Sequence, residues 1–298
     1  MYILQPVIHE TIWGGHKLGY LVQNEEAKIG HLYMVNGHLG MSNLILNGNY
    51  QNCYLNDVFL KERKSWKLDE YEEFPLTIAL VDAAENLSIQ VHPDDTIAEL
   101  LESKKKGKTE SWVFIDAPEK GWIYAGCMCK TKQELHKFVA MDKIDEITGH
   151  INIRSNDYVC INAGTLHAMT TGSLVYEIEY GSDFTYRFYD YHRKDPQGCE
   201  RELHVQKALR AIKEDMNQDV LHMADHRWIQ EADYEICRET NVTDYKNTSD
   251  ILECFSVIKG VGKCDENHVS AGMSILLLPQ EELRDVNFDE VIVARIRK

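Results

Sequence analysis

The segment Ser88-Ile89-Gln90-Val91-His92-Pro93-Asp94-Asp95 sets an amide and an imidazole two positions apart. On an extended chain side chains alternate faces, so Gln90 and His92 point one way and Ile89 and Val91 the other. Pro93 has no N–H to give to a ladder and closes the strand. Two potential ligands on one face at a strand end make half of a metal site, although a buried histidine satisfied by its neighbours fits the same spacing. Gly107-Lys108-Thr109-Glu110-Ser111-Trp112 repeats the arrangement with other chemistry. If a strand starts there, Lys108 and Glu110 share a face. A carboxylate is a good zinc ligand, and a nearby metal favours its ionised form. A lysine beside a dication in a desolvated cavity is expected to have a lowered pKa and to serve as a proton shuttle. The other reading of Lys108 is a solvated continuation of the run Lys104-Lys105-Lys106.

Ile161-Asn162-Ala163-Gly164-Thr165-Leu166-His167-Ala168 then delivers a histidine out of a glycine turn into small and apolar residues. His167 could complete a His/His/Glu set with a glutamine oxygen as fourth donor. Such a set suits a divalent ion with an open position better than a closed structural site, where thiolates are usual. From Tyr176 to Asp190 polar and apolar residues alternate, and Asp183, Thr185 and Arg187 share parity. One wall would then carry a carboxylate, a hydroxyl and a guanidinium able to bind a charged oxygen. An arginine paired with Asp183 or Asp190 on a half-exposed strand is the plainer alternative.

Short β-type runs bounded by Gly, Asn or Asp carry these residues: 76–80, 87–91, 112–115, 158–161, 174–180, 184–189, 255–258 and 274–278. Helical spacing is confined to 94–105, which starts on an acidic cap, 131–147, where Thr131 and Glu134 form a capping box, and 202–213. Many short strands with a few inserted helices predict a mainly β protein built on jelly-roll barrels. The polar, irregular stretch 214–250 marks the passage between a catalytic domain, 1–235, and a smaller C-terminal β-domain, 236–298.

A chain of 298 residues with 44% hydrophobic and 27% charged residues buries an ordinary globular core. A net charge of −16 argues against a nucleic-acid partner and requires any anionic substrate to be captured by a local positive site. No GxGxxG or Walker-type loop supports nucleotide binding. The eight scattered cysteines do not form a disulfide framework. With no signal-like amino terminus and no run near the ~20 apolar residues of a membrane helix, a cytoplasmic location is expected.

Taken together, QVHPDD at 90–95, GKTESW at 107–112, AGTLHA at 163–168 and SDFTYRFYD at 182–190 resemble, in order and spacing, the type I phosphomannose isomerases, a zinc family of the cupin superfamily. The resemblance extends from IWGGHKL at 12–18 to RELH at 201–204, covering about residues 6 to 212, with an echo in GMSILLLP at 272–279. It implies a cupin barrel, one zinc ion per chain held by Gln90, His92, Glu110 and His167, and an active-site arginine at Arg187. Lys108 and Asp183 match residues that assist proton transfer, and His92 could share that work. The implied reaction interconverts mannose 6-phosphate and fructose 6-phosphate through an enediolate, with Ser88 or a nearby lysine steadying the phosphate. Three departures bear on the pocket wall: Asn162 before the AGT turn, Glu179-Tyr180 in place of a Gln-rich stretch, and Gly30-His31-Leu32-Tyr33-Met34 in place of a GESWE-like one. A regulatory cupin that binds a sugar phosphate without turning it over is the alternative, and an iron oxygenase cupin a further one. Gln90 favours zinc over iron.

Overall fold

The computed structural model describes residues 1–38, 40–213, 218–264 and 266–297. Antiparallel strands dominate and stack in three main layers. The middle layer is a seven-stranded sheet in the order Val220–His222, Asp157–Ile161, Lys108–Asp116, Ser173–Gly181, Leu76–Ala83, Val7–Gly15 and Ile29–Val35. A five-stranded sheet covers one side of it, in the order Tyr186–Tyr189, Ile89–Val91, His167–Ala168, Trp122–Cys127 and Thr148–Asn152. These two sheets are the cupin-type jelly roll.

The middle sheet is buried on both faces, and its sequence shows why. In Leu76–Ala83 every residue is buried. Ala79, Val81 and Ala83 join the barrel core with Trp112, Phe114, Val159 and Val175. The alternate residues Leu76, Ile78 and Leu80 pack the opposite way with Val113, Tyr158, Tyr176 and Ile178. A strand covered on both sides reads as a continuous apolar run rather than an alternating one. Each such Leu, Ile or Val contributes about 1.5–3 kcal/mol of burial.

The third layer is an eight-stranded sheet on the far side. Strands Tyr234–Val242, Phe288–Ile296, Glu253–Cys264 and Ser274–Leu277 lie side by side in it, and the amino-terminal strand Tyr2–Gln5 adds to the last of them. Leu4, Ile236, Cys254, Ile292 and Ala294 face the middle sheet, whereas Ile3, Phe255, Val257 and Val293 face a smaller outer core. A buried hydroxyl chain ties the layers: Ser111 Oγ lies 2.5 Å from the Tyr234 hydroxyl and 2.8 Å from that of Tyr158.

The stretch expected to be irregular, 214–250, carries four strands among its described residues; 214–217 lie outside them. Tyr234–Val242 is polar because its charges are matched across the sheet. Arg295 Nε donates to Glu235 at 2.6 Å and Arg238 Nε to Glu290 at 2.8 Å. The three expected helices are present but shorter: Asp95–Glu102, Lys132–Ala140 and Val205–Ala211. Asp94 caps the first by accepting from the Ile97 amide, and Thr131 caps the second by accepting from the Glu134 amide. A fourth helix, Leu55–Glu62, buries Leu55, Val58 and Phe59 on one face. Among the described residues no helix is long and apolar enough to cross a membrane.

Candidate metal centre and active site

Backbone hydrogen bonds stitch the four motif segments together before any side chain is considered. The Lys108 amide donates to the Pro93 carbonyl at 3.0 Å and the Gly164 amide to the His92 carbonyl at 2.9 Å. The Ser182 amide donates to the Gly107 carbonyl at 2.8 Å. Gly181, directly opposite Lys108, has φ +100°, and a Cβ there would lie 2.2 Å from the Gly107 carbonyl oxygen. Only glycine allows that approach.

The strand ends so joined bring His92, Glu110 and His167 into one fully buried cluster. His92 Nε2 lies 2.9 Å from Glu110 Oε2, and His167 Nε2 lies 3.2 Å from Glu110 Oε1. The opposite ring nitrogens are engaged elsewhere. His92 Nδ1 donates to the Phe184 carbonyl at 2.9 Å and His167 Nδ1 to the Thr165 carbonyl at 2.8 Å. In the neutral rings, each Nε2 therefore presents a bare lone pair to the carboxylate. Burial, outweighing the pull of Glu110, pushes the His92 pKa down to about 4 and keeps that ring neutral. Burial works against an ionised Glu110, but its neighbours His92, the Lys108 ammonium and His167 hold its carboxyl well below the usual range. His92 Nε2 and both Glu110 oxygens have no hydrogen-bond partner. Buried acceptors that converge without a donor are costly unless a cation sits among them. The residues present therefore fit a divalent ion.

Gln90 lies beside the cluster, its amide nitrogen 3.4 Å from His167 Nε2, while Ser88 Oγ donates to its oxygen at 3.2 Å. Turning the amide by half a rotation presents the oxygen to the cluster and lets the nitrogen donate to Ser88. Arg187 stands opposite Gln90 on the neighbouring strand. Its Nη1 donates to the Glu202 carbonyl at 2.8 Å, and its Nε is buried without a partner. Among the described residues no carboxylate lies within ion-pair distance of Arg187. Asp190 is taken instead by Arg193 and Arg201, the latter through bonds of 2.7 and 2.6 Å.

Lys108 is buried, not solvated, and burial works to lower its pKa. The carboxylates of Glu179, Glu110 and Glu177 outweigh burial and hold it above the ordinary lysine value. The lowered value expected from sequence took a dication beside the lysine; here a second row of carboxylates acts on it. Glu177 and Glu179 share one face of Ser173–Gly181; Glu177 accepts from Trp112 Nε1 at 2.9 Å, and Glu179 from Lys108 Nζ at 2.5 Å. Neither was picked out as a site residue from the sequence, although their alternation with Tyr176, Ile178 and Tyr180 was the available signal. His31 and Tyr33 stack with ring centroids 5.2 Å apart, and His31 Nε2 lies 3.9 Å from Glu177.

Asp183 stands apart. Residues 182–185 are not strand, so Asp183 and Thr185 do not continue the wall that carries Arg187. Asp183 is exposed and lines a separate cavity of about 780 Å³ with His38, Lys104, Tyr180 and Phe184. The metal cluster does not line that cavity; Phe184, whose carbonyl holds His92, connects the two.

A jelly-roll barrel with a buried two-histidine, one-carboxylate cluster suited to a divalent cation defines a cupin-fold protein. Residues 1–111 match the family described as phosphomannose isomerase type I, catalytic domain. Mannose-6-phosphate isomerase ManA of Bacillus subtilis is 34% identical over 212 residues, covering 70% of this chain and 67% of that protein. The mannose-6-phosphate isomerase of Streptococcus mutans is 34% identical over 210 residues, covering 69% and 66%. The crystal structure of the mannose 6-phosphate isomerase from Bacillus subtilis superposes with a TM-score of 0.85 at 28% identity, over 99% of each chain. The chain belongs to the type I phosphomannose isomerase family.

Proposed function

We propose that the protein is a zinc-dependent isomerase that interconverts mannose 6-phosphate and fructose 6-phosphate by proton transfer through an enediolate. The observation that carries this reading is the set of buried acceptors without donors at His92 and Glu110, inside a chain of this family. His92, Glu110 and His167, with the turned Gln90 amide, would hold one zinc ion. Bound there, zinc supplies a Lewis acid for negative charge developing on sugar oxygens.

The chain's own residues account for the rest. Arg187, a cation without a carboxylate partner one strand from Gln90, steadies the enediolate oxygens. Lys108, kept as an ammonium by its carboxylate neighbours, supplies a proton to a sugar oxygen. Asp183, in the cavity that Phe184 joins to the cluster, takes the carbon-bound proton, which balances the one Lys108 gives to oxygen. The buried cluster excludes water that would compete for the reacting carbons.

The test is a coupled assay of mannose 6-phosphate conversion with zinc-loaded and chelator-treated protein. Turnover that is lost on chelation and regained with zinc is expected. Folded, zinc-loaded protein that binds the sugar phosphate without turning it over would replace this reading with that of a regulatory cupin.

A further inference from the structure

Tyr186–Tyr189 is an edge strand of the five-stranded sheet, so one side of its backbone has no strand to bond to. At Arg187 a single residue takes both outward groups. The His204 amide donates to the Arg187 carbonyl at 2.7 Å, and the Arg187 amide donates to His204 Nδ1 at 3.2 Å. In an antiparallel ladder one residue exchanges both bonds with its opposite number. Here an imidazole nitrogen stands where the second carbonyl would be. Burial first, and the Arg187 charge second, lower the His204 pKa and keep that lone pair free to accept.

His204 is itself held from both directions. Arg201, three residues before it, grips Asp190 just beyond the strand with bonds of 2.7 and 2.6 Å. After it, the helix Val205–Ala211 buries Ala208, Leu209 and Ala211, and its Lys207 donates to Glu102 at 2.7 Å. The short run between these anchors carries the Glu202 carbonyl, the one hydrogen-bond acceptor of the Arg187 guanidinium among the described residues. With Nε buried and unpartnered, the aim of the side chain depends on where its backbone and that carbonyl are placed.

We propose that His204 is a positioning residue that fixes the Arg187 backbone and, with it, the place of the guanidinium beside the candidate metal centre. The inference rests on the role given to Arg187 above and deepens it, making the RELH run at 201–204 a strap across the open edge of the strand. A leucine at position 204 leaves the Arg187 amide without its acceptor and loosens the hold of the Glu202 carbonyl on the guanidinium. An asparagine keeps an oxygen as many bonds from Cβ as Nδ1 is.

The test is turnover of mannose 6-phosphate by zinc-loaded wild type, His204→Leu and His204→Asn, each with Arg187 intact and with Arg187→Ala. With Arg187 intact, His204→Leu is expected to lower kcat about tenfold at unchanged zinc content, as a misplaced catalytic group does. His204→Asn is expected to stay within about threefold of wild type, because it keeps the acceptor. In the Arg187→Ala background the leucine is expected to change kcat less than about twofold, since residues acting through one another do not add. Equal losses in both backgrounds, or an asparagine variant as poor as the leucine one, would overturn the inference and leave the isomerase reading standing. A second readout needs no turnover: nuclear magnetic resonance relaxation of the Arg187 Nε–H, assigned by its loss in Arg187→Ala. A signal rigid in wild type and His204→Asn but mobile in His204→Leu supports the positioning role, and equal rigidity in all three removes it. Wild type that shows this pattern without turnover would overturn the isomerase reading alone.

Discussion

Arg187 stands directly opposite Gln90 across the antiparallel pair Tyr186–Tyr189 and Ile89–Val91, and His167 faces Gln90 from its other side. Three segments far apart in sequence thus contribute one transverse row of guanidinium, amide and imidazole. A guanidinium fixed by the sheet one strand from the candidate ligands can stabilise charge without reorganising.

Arg187→Ala is accordingly expected to lower kcat by about 100- to 1000-fold, the usual cost of a lost charge-stabilising donor. Its zinc content should equal that of wild type. Steady-state kinetics alongside elemental analysis checks this, and a variant that loses its zinc would show that Arg187 supports the metal cluster instead.

Glu110→Gln should abolish zinc uptake, since it removes the one anionic donor of the cluster. Zinc at about a thousand times its Kd stabilises a protein by about 4 kcal/mol. Thermal unfolding of wild type should therefore shift upward on adding zinc, whereas the variant should not respond. An equal shift in both would move the binding site away from Glu110.

The acid limb of stability should report Asp190. Burial raises its pKa, but the hydrogen bonds and charges of Arg201 and Arg193 outweigh burial and lower it. A depressed carboxylate stabilises the fold fully above its unfolded value of about 3.9, and that stability is lost as the pH falls through the lower folded value. Asp190→Asn should cost about 2–3 kcal/mol at neutral pH. The gap from wild type should begin to narrow below about pH 4 and close only once the pH has passed the lower folded value. Urea unfolding of metal-stripped proteins across the pH range measures it; a gap independent of pH would point to packing.

Tyr234→Phe removes one end of the hydroxyl chain between the middle and far sheets while leaving Ser111 its contact with Tyr158. A loss of about 1 kcal/mol is expected. Denaturant melts monitored at two wavelengths would reveal whether the far sheet unfolds with the barrel or ahead of it.

Much of the site's local order was legible because strand alternation is a property of the backbone itself. Gln90 with His92, and Lys108 with Glu110, share faces by parity alone, and Pro93 ends its strand for a reason intrinsic to proline. The cap residues Asp94 and Thr131 were readable for the same reason. The shared wall of Asp183 and Arg187 does not form because parity holds only where the chain is extended, and residues 182–185 are not strand. The carboxylate that holds Lys108 was not legible, because Glu179 is 71 positions away.

By itself, then, the sequence determined the strand-rich character, the order of the motifs and the faces on which their side chains emerge, all consequences of local geometry and composition. Only the tertiary structure decided which carboxylates meet which cations. It set Glu179 against Lys108, gave Asp190 to Arg193 and Arg201 rather than Arg187, and joined the amino-terminal strand to the far sheet. The reason is physical: register between strands distant in sequence is set by burying apolar faces on both sides of the middle sheet, and charges take the partners that this packing brings within reach.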